Sequence, residues 1–307
     1  MRALRFATQV GGAESGDAWI ARARQLETAG YGTLSMPDHV VGRSFAPLVA
    51  LGAAAAATTR IRLGTLVLDN DFRNPLLVAR EAATLDVISN GRFELGIGAG
   101  WLDRDYASLG IPFDRGRVRV RRLDEALTVI RRLFTEAEVT HAGEFYRLER
   151  AVCGPKPVQR PHPPLLVAGG GDEILRVAAR HAQIVAIVAY LTGQRRMTPD
   201  GVSLATMRRQ IALLREAAGA RFDEIELSMF LDIDLTTDRD AKIRELAERG
   251  NADPAVLSAS MYRVIGTLED VRAHVLRLRD EVGITYFCLR GPDVDALAPL
   301  AQELAGR

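Results

Sequence analysis

Only two cysteines occur in the 307 residues, Cys153 and Cys288, too few for a disulfide framework and in keeping with a reducing cytoplasm. No CxxC pair and no HxxxH spacing is present, and the five histidines are scattered, so no metal site is expected. Charge of one sign is not in excess: 40 Lys+Arg stand against 39 Asp+Glu, which gives no electrostatic reason to expect nucleic acid or an anionic membrane as a partner. The apolar runs fall far short of the roughly twenty residues of a membrane helix. The opening MRALRFATQV lacks the apolar core and small-residue cleavage site of a signal peptide and reads as a strand. Low-complexity segments and short repeats are missing as well. Hydrophobic residues are plentiful at 48%, enough for a large core, and 307 residues suit one α/β barrel domain over residues 1–307.

The most informative stretch is 61–101. An apolar run (IRLGTLVL) leads through DNDFRNP into a 3.6-residue pattern that sets Leu76, Ala79, Ala83, Leu85 and Ile88 on or near one face. Asn90-Gly91 stops that helix, and a second apolar run, 93–97, follows at once. A strand–helix–strand unit of this length places its strands parallel with a right-handed crossover. Neither strand alternates cleanly, as expected when both faces are covered.

The same reading extends along the chain. Strands are predicted at 4–10, 32–36, 61–68, 93–97, 165–168, 184–189, 225–235 and 284–289, with helices between them. The helix at 18–29 has Ser15 or Asp17 as its cap and Gly30 as its stop; that at 47–58 is small in its middle, from Ala53 to Ala57. Residues 102–114 read as a loop before a long helix, 115–135. An excursion hairpin at 139–148 and a proline-rich crossing at 155–164 precede the fifth strand; a helix and a further excursion at 237–261 follow the seventh. Eight strands alternating with helices favour a (β/α)8 TIM barrel over an open doubly wound sheet.

LGTLVL…RNPLLVAREAATLD…SNGRFELGIGAGW, PVQRPHPPLLVAGGG and GTLEDVRAHVLRLRDEVGITYFCLRG together resemble the luciferase-like monooxygenase superfamily, within it the branch using the deazaflavin coenzyme F420. The resemblance spans nearly the whole chain. It implies a TIM barrel with an excursion before strand five, a cofactor at the C-terminal strand ends, and often a homodimer.

Candidate site residues follow, each with its plainer alternative. Asp38 and His39 close the second strand on the rim where such barrels concentrate chemistry, and imidazole titrates near neutrality. The resemblance places this pair beside the reactive ring; otherwise they are a solvated histidine and a turn cap. Leu66-Val67 matches the family's non-prolyl cis peptide, which supports the ring; the plain alternative is a trans strand. Gly98, Ala99 and Gly100 let a planar ring approach the backbone, or simply form a tight strand exit. One sugar-phosphate-oxidising branch has a Glu after these glycines; Trp101 stands here, which argues against that substrate. Gly169, Gly170 and Gly171 before a helix offer free N–H groups for the cofactor phosphate, although Asp172 and Glu173 compete for the same field. Arg115, Arg117, Arg119, Arg121 and Arg122 mostly form a solvated face paired with Asp114, Asp124 and Glu125, with one or two left for a phosphate or the coenzyme's anionic tail. Residues 192–199 read as a polar loop long enough to be a lid, with Arg195 and Arg196 on it as candidate contacts for the coenzyme's tail or the substrate.

The expectation is an oxidoreductase transferring hydride between F420 and a small organic substrate, with His39 and Asp38 handling protons. A reduced-FMN monooxygenase on the same barrel is the nearest alternative, and a non-catalytic deazaflavin carrier or sensor the third.

Overall fold

The computed structural model describes residues 2–42, 44–191, 197–250, 252–292 and 294–307. The strands are β1 (Arg5–Gln9), β2 (Thr33–Met36), β3 (Arg62–Thr65), β4 (Leu68–Asp69), β5 (Phe93–Gly98), β6 (Val139–Ala142), β7 (Arg147–Ala151), β8 (Leu165–Gly169), β9 (Ile184–Ile187), β10 (Glu226–Leu235), β11 (Arg263–Gly266) and β12 (Ile284–Arg290). The helices are α1 (Gly16–Thr28), α2 (Pro47–Ala57), α3 (Pro75–Ile88), α4 (Asp103–Leu109), α5 (Gly116–Thr135), α6 (Asp172–His181), α7 (Leu204–Ala218), α8 (Arg239–Gly250), α9 (Pro254–Ala259), α10 (Leu268–Val282) and α11 (Ala298–Leu304).

Eight parallel strands close on themselves. β1 pairs with both β2 and β12, the pairing runs on through β3, β5, β8 and β9 to β10, and β10 returns to β12. The helices pack outside, so the chain is the (β/α)8 barrel that its alternating pattern predicted. The excursion before the fifth barrel strand is the antiparallel pair β6–β7. The excursion after the seventh is α8 and α9, followed by β11, a strand the sequence reading did not separate, which extends the far half of β10.

The helix signals work as residue chemistry requires. Ser15 caps α1 by accepting from Ala18 N–H, and Thr267 with Asp270 forms a reciprocal capping box on α10. Asn90 (φ 54°) and Gly91 (φ 78°) take the left-handed turn that ends α3. Two readings need correction. Residues 103–109, read as loop, form α4, and Ile88, grouped on or near one face with Ala79, Ala83 and Leu85, is 50% exposed where those three are buried.

The barrel interior is layered. At the N-terminal end Arg5 bridges Glu94 (2.7 Å) and Glu226 (2.6 Å), while Arg62 also donates to Glu94 (2.6 Å). Tyr286 donates to the second Glu94 oxygen (3.2 Å) and lies under the Arg5 guanidinium. Burial alone would raise the Glu94 carboxyl, but Arg5 and Arg62 hold it below its ordinary range. Beside this ionic floor the interior holds a buried cluster of Ala7, Leu66, Leu166, Ile184, Ala186, Tyr286 and Cys288. Half-buried Val67, Ala168 and Phe230 pack over them towards the C-terminal strand ends. One end is thus closed by charge, and the half-buried apolar side chains lie towards the other.

Candidate active site

His39 leaves the end of β2, two residues after Pro37. Its Nδ1 lies 2.7 Å from Asp105 Oδ2, and the imidazole is 34% exposed against 3% for the Asp105 side chain. The other Asp105 oxygen accepts the Val40 and Val41 backbone N–H groups at 3.1 and 3.0 Å. The expected Asp38–His39 pair is therefore divided. Asp38, 6% exposed, receives both ends of the Arg73 guanidinium and the Asp69 N–H, so its lone pairs brace the loops after β2 and β4. A carboxylate held this way is a poor proton carrier and a good clamp.

Asp105 is the residue the sequence reading missed. It sits in the first turn of the seven-residue α4, whose N-cap, Leu102, makes no side-chain bond. The available signal was the stop: Gly110, at φ 68°, ends α4. The next residue pins the helix. Tyr106 donates to Asp69 (3.0 Å) and Asp71 (3.1 Å), and its ring meets Phe72 and Phe113 edge-on. Burial, reinforced by those two carboxylates, pushes the Tyr106 phenol up, so it remains a donor. Burial likewise pushes Asp69 up to about 6, with Asp71 and Asp38 adding to the effect. Trp101, 57% exposed, stands edge-on to the His39 ring at 5.8 Å.

The Leu66–Val67 peptide is cis. It interrupts the apolar run 61–68, giving β3 and β4, and Gln9 Nε2 holds the Leu66 carbonyl at 2.6 Å. The glycines nearby have reasons internal to the protein. A Cβ on Gly98 would lie 2.8 Å from Val67 Cγ2, and one on Gly100 (φ 72°) would collide with the Tyr106 hydroxyl and the Asp69 carboxylate. These two positions are glycine because the strand exit is packed against its neighbours. Gly100→Ala is expected to cost about 1–3 kcal/mol through overpacking and a strained φ, measured by chemical denaturation.

The three glycines after β8 also divide. A Cβ on Gly169 would strike Ile174, and one on Gly170 would strike the Val188 carbonyl, whereas Gly171 faces open space. Gly171 is the N-cap of α6 and supplies no capping side chain. The competing carboxylates in that first turn have arginine partners in exposed ion pairs: Asp172 with Arg209 (3.0 Å) and Glu173 with Arg117 (3.0 Å). Two guanidiniums therefore stand beside the uncapped start of a ten-residue helix.

Arg119, Arg121 and Arg122 of α5 are engaged as well. Arg119 is buried and donates to the Ala99 and Gly100 carbonyls, fixing the strand exit. Arg122 bridges Asp71 and Asp114, and Arg121 reaches Glu144. Of the expected acidic partners only Asp114 serves this group; Asp124 binds Arg180 and His181, and Glu125 binds His141. Across the mouth, Arg290 lies over Phe230 and donates to Asp232 at 2.9 and 3.1 Å. Arg195 and Arg196 of the expected lid lie outside the described residues.

A family model described as luciferase-like monooxygenase matches residues 3–286. An uncharacterised Mycobacterium tuberculosis protein is 40% identical over 150 residues, covering 49% of this chain and 52% of the relative. The chain thus spans about half the length of the first curated relatives it matches. An F420-dependent glucose-6-phosphate dehydrogenase from Amycolatopsis mediterranei is 28% identical over 278 residues, covering 88% of this chain and 79% of the relative. Among solved structures, an F420-dependent secondary alcohol dehydrogenase in complex with an F420–acetone adduct superposes with a TM-score of 0.80 at 22% identity, covering 98% of each chain. The monooxygenase RslO1 from Streptomyces bottropensis gives 0.76 at 25% identity, covering 98% of this chain and 97% of that one.

Proposed function

Because the chain belongs to the luciferase-like monooxygenase family, we propose that it is an oxidoreductase moving a hydride between coenzyme F420 and a small organic substrate at the barrel mouth. The observation that carries this reading is the His39 imidazole, one face open at the catalytic rim and the other held by a buried carboxylate.

The residues present fit a flat ring with a phosphorylated tail. Val67, Ala168 and Phe230 supply apolar wall, and the uncapped start of α6 at Gly171 supplies N–H groups with Arg117 and Arg209 alongside. Gly98, Ala99 and Gly100 shape the wall by letting the strand exit pack tightly against Val67 and Tyr106. Coenzyme F420, when bound, supplies two-electron hydride chemistry. His39 holds or moves the accompanying proton, Asp38 and Arg73 keep the rim loops in register, and the apolar wall excludes water.

The second reading, a reduced-FMN monooxygenase, draws support from the likeness to the monooxygenase RslO1. Titrating the protein with F420 and with FMN separates them. Saturable F420 binding with FMN at least about tenfold weaker is expected; tight FMN binding with no response to F420 would overturn the assignment.

The macromolecular partner we infer is a second copy of the chain. The outer faces of α2 and α3 expose Val49 (77%), Leu77 (51%) and Ile88 (50%) beside Ala53 and Ala56, while Ala54 and Ala55 of the same small-residue run pack inward.

A further inference from the structure

We propose that Asp105 is the positioning residue that fixes the tautomer of His39, leaving Nε2 as the atom that exchanges a proton with substrate. This rests on the site reading above, but its primary test does not.

The geometry leaves little freedom. A carboxylate that already accepts two backbone N–H groups through one oxygen has the other aimed at His39 Nδ1 at 2.7 Å. An ionised carboxylate can only accept, so Nδ1 must carry the hydrogen. The neutral ring then presents its lone pair at Nε2. Because Asp105 is 2% exposed, its orientation is set by the protein and not by solvent. The support continues outward: Tyr106 ties the same turn of α4 to Asp69 and Asp71. A buried carboxylate behind an imidazole does two things. It selects the ring orientation, and it stabilises the imidazolium once the far nitrogen has taken a proton. Asp38, adjacent in sequence, does neither, since its oxygens belong to Arg73 and Asp69.

Asp105→Asn separates positioning from architecture. Asn can keep accepting from Val40 and Val41 through its amide oxygen, but turns an N–H towards His39. The ring must then accept at Nδ1 and carry its hydrogen on Nε2. Nitrogen-15 NMR of uniformly labelled protein without cofactor, with His39 assigned by its loss in His39→Gln, reads this directly. The expected result is an Nδ1–H ring in the unsubstituted protein and an Nε2–H ring in Asp105→Asn. F420 affinity should stay within about twofold, and turnover should fall at least about tenfold on whichever panel alcohol or carbonyl the unsubstituted enzyme accepts. An Nε2–H ring in the unsubstituted protein overturns the proposal, even if the variant fails to fold. So does a variant whose tautomer is unchanged, or one whose turnover is unchanged despite the switch. Absence of F420 binding with the expected tautomers would defeat the cofactor assignment and leave the positioning role standing.

Discussion

His39→Ala is expected to keep the fold and F420 affinity while lowering turnover at least about a hundredfold, since a positioned acid or base contributes roughly 10²–10⁴. The fold should survive because the ring is partly exposed at a strand end and Asp105 keeps two backbone partners after the imidazole has gone. The loss should appear in kcat with little change in cofactor binding, because proton transfer is needed in the transition state and the wall that seats the ring is left intact. Steady-state kinetics beside an F420 titration checks it. Kinetics within twofold of the parent in a folded variant would remove His39 from the mechanism.

Glu94→Ala should produce the largest loss of stability, about 3–5 kcal/mol, because deleting one partner of a buried ion cluster strands the others. Glu94 is 3% exposed and serves Arg5, Arg62 and Tyr286 together. Against a total of about 5–15 kcal/mol for an ordinary domain, that loss is large. Glu94→Gln retains hydrogen-bonding atoms and should lose less. The acid response follows from the depressed carboxyl. Its stabilisation is complete above the ordinary value of 4.5 and drains away as pH falls through the lower folded value. Urea unfolding of parent and Glu94→Gln at a series of pH values should therefore show the difference shrinking below about pH 4.5. A pH-independent difference would mean that the charge contributes nothing.

Local chemistry made much of the fold legible. Gly30, Asn90-Gly91 and Gly283 announced helix ends because a left-handed turn leaves few residue choices, and 3.6-residue spacing placed α5 and α10. The ionic floor was not legible. Arg5 and Glu226 stand 221 residues apart, and nothing local pairs them. The site was half legible for a related reason. Asp38 and His39 are neighbours in sequence, but they lie in the irregular segment after β2 and bond to different partners, so adjacency does not make a pair. Their true partners, Arg73 and Asp105, arrive from other loops. Asp105 was hidden further by a helix too short for a periodic signal. The glycines after β5 and β8 were found, but their separate reasons were not. Only the close neighbours of each missing Cβ distinguish Gly171, beside open space, from Gly98, Gly100, Gly169 and Gly170, hemmed in by the protein.

A crystal structure of the protein with F420 tests the central claim most directly. The account expects the deazaflavin ring over Val67 and Ala168 with its reactive edge towards His39, and the phosphate on the N–H groups after Gly171. Density for the ring anywhere else, or a mouth that takes FMN and rejects F420 under the same soak, would contradict it.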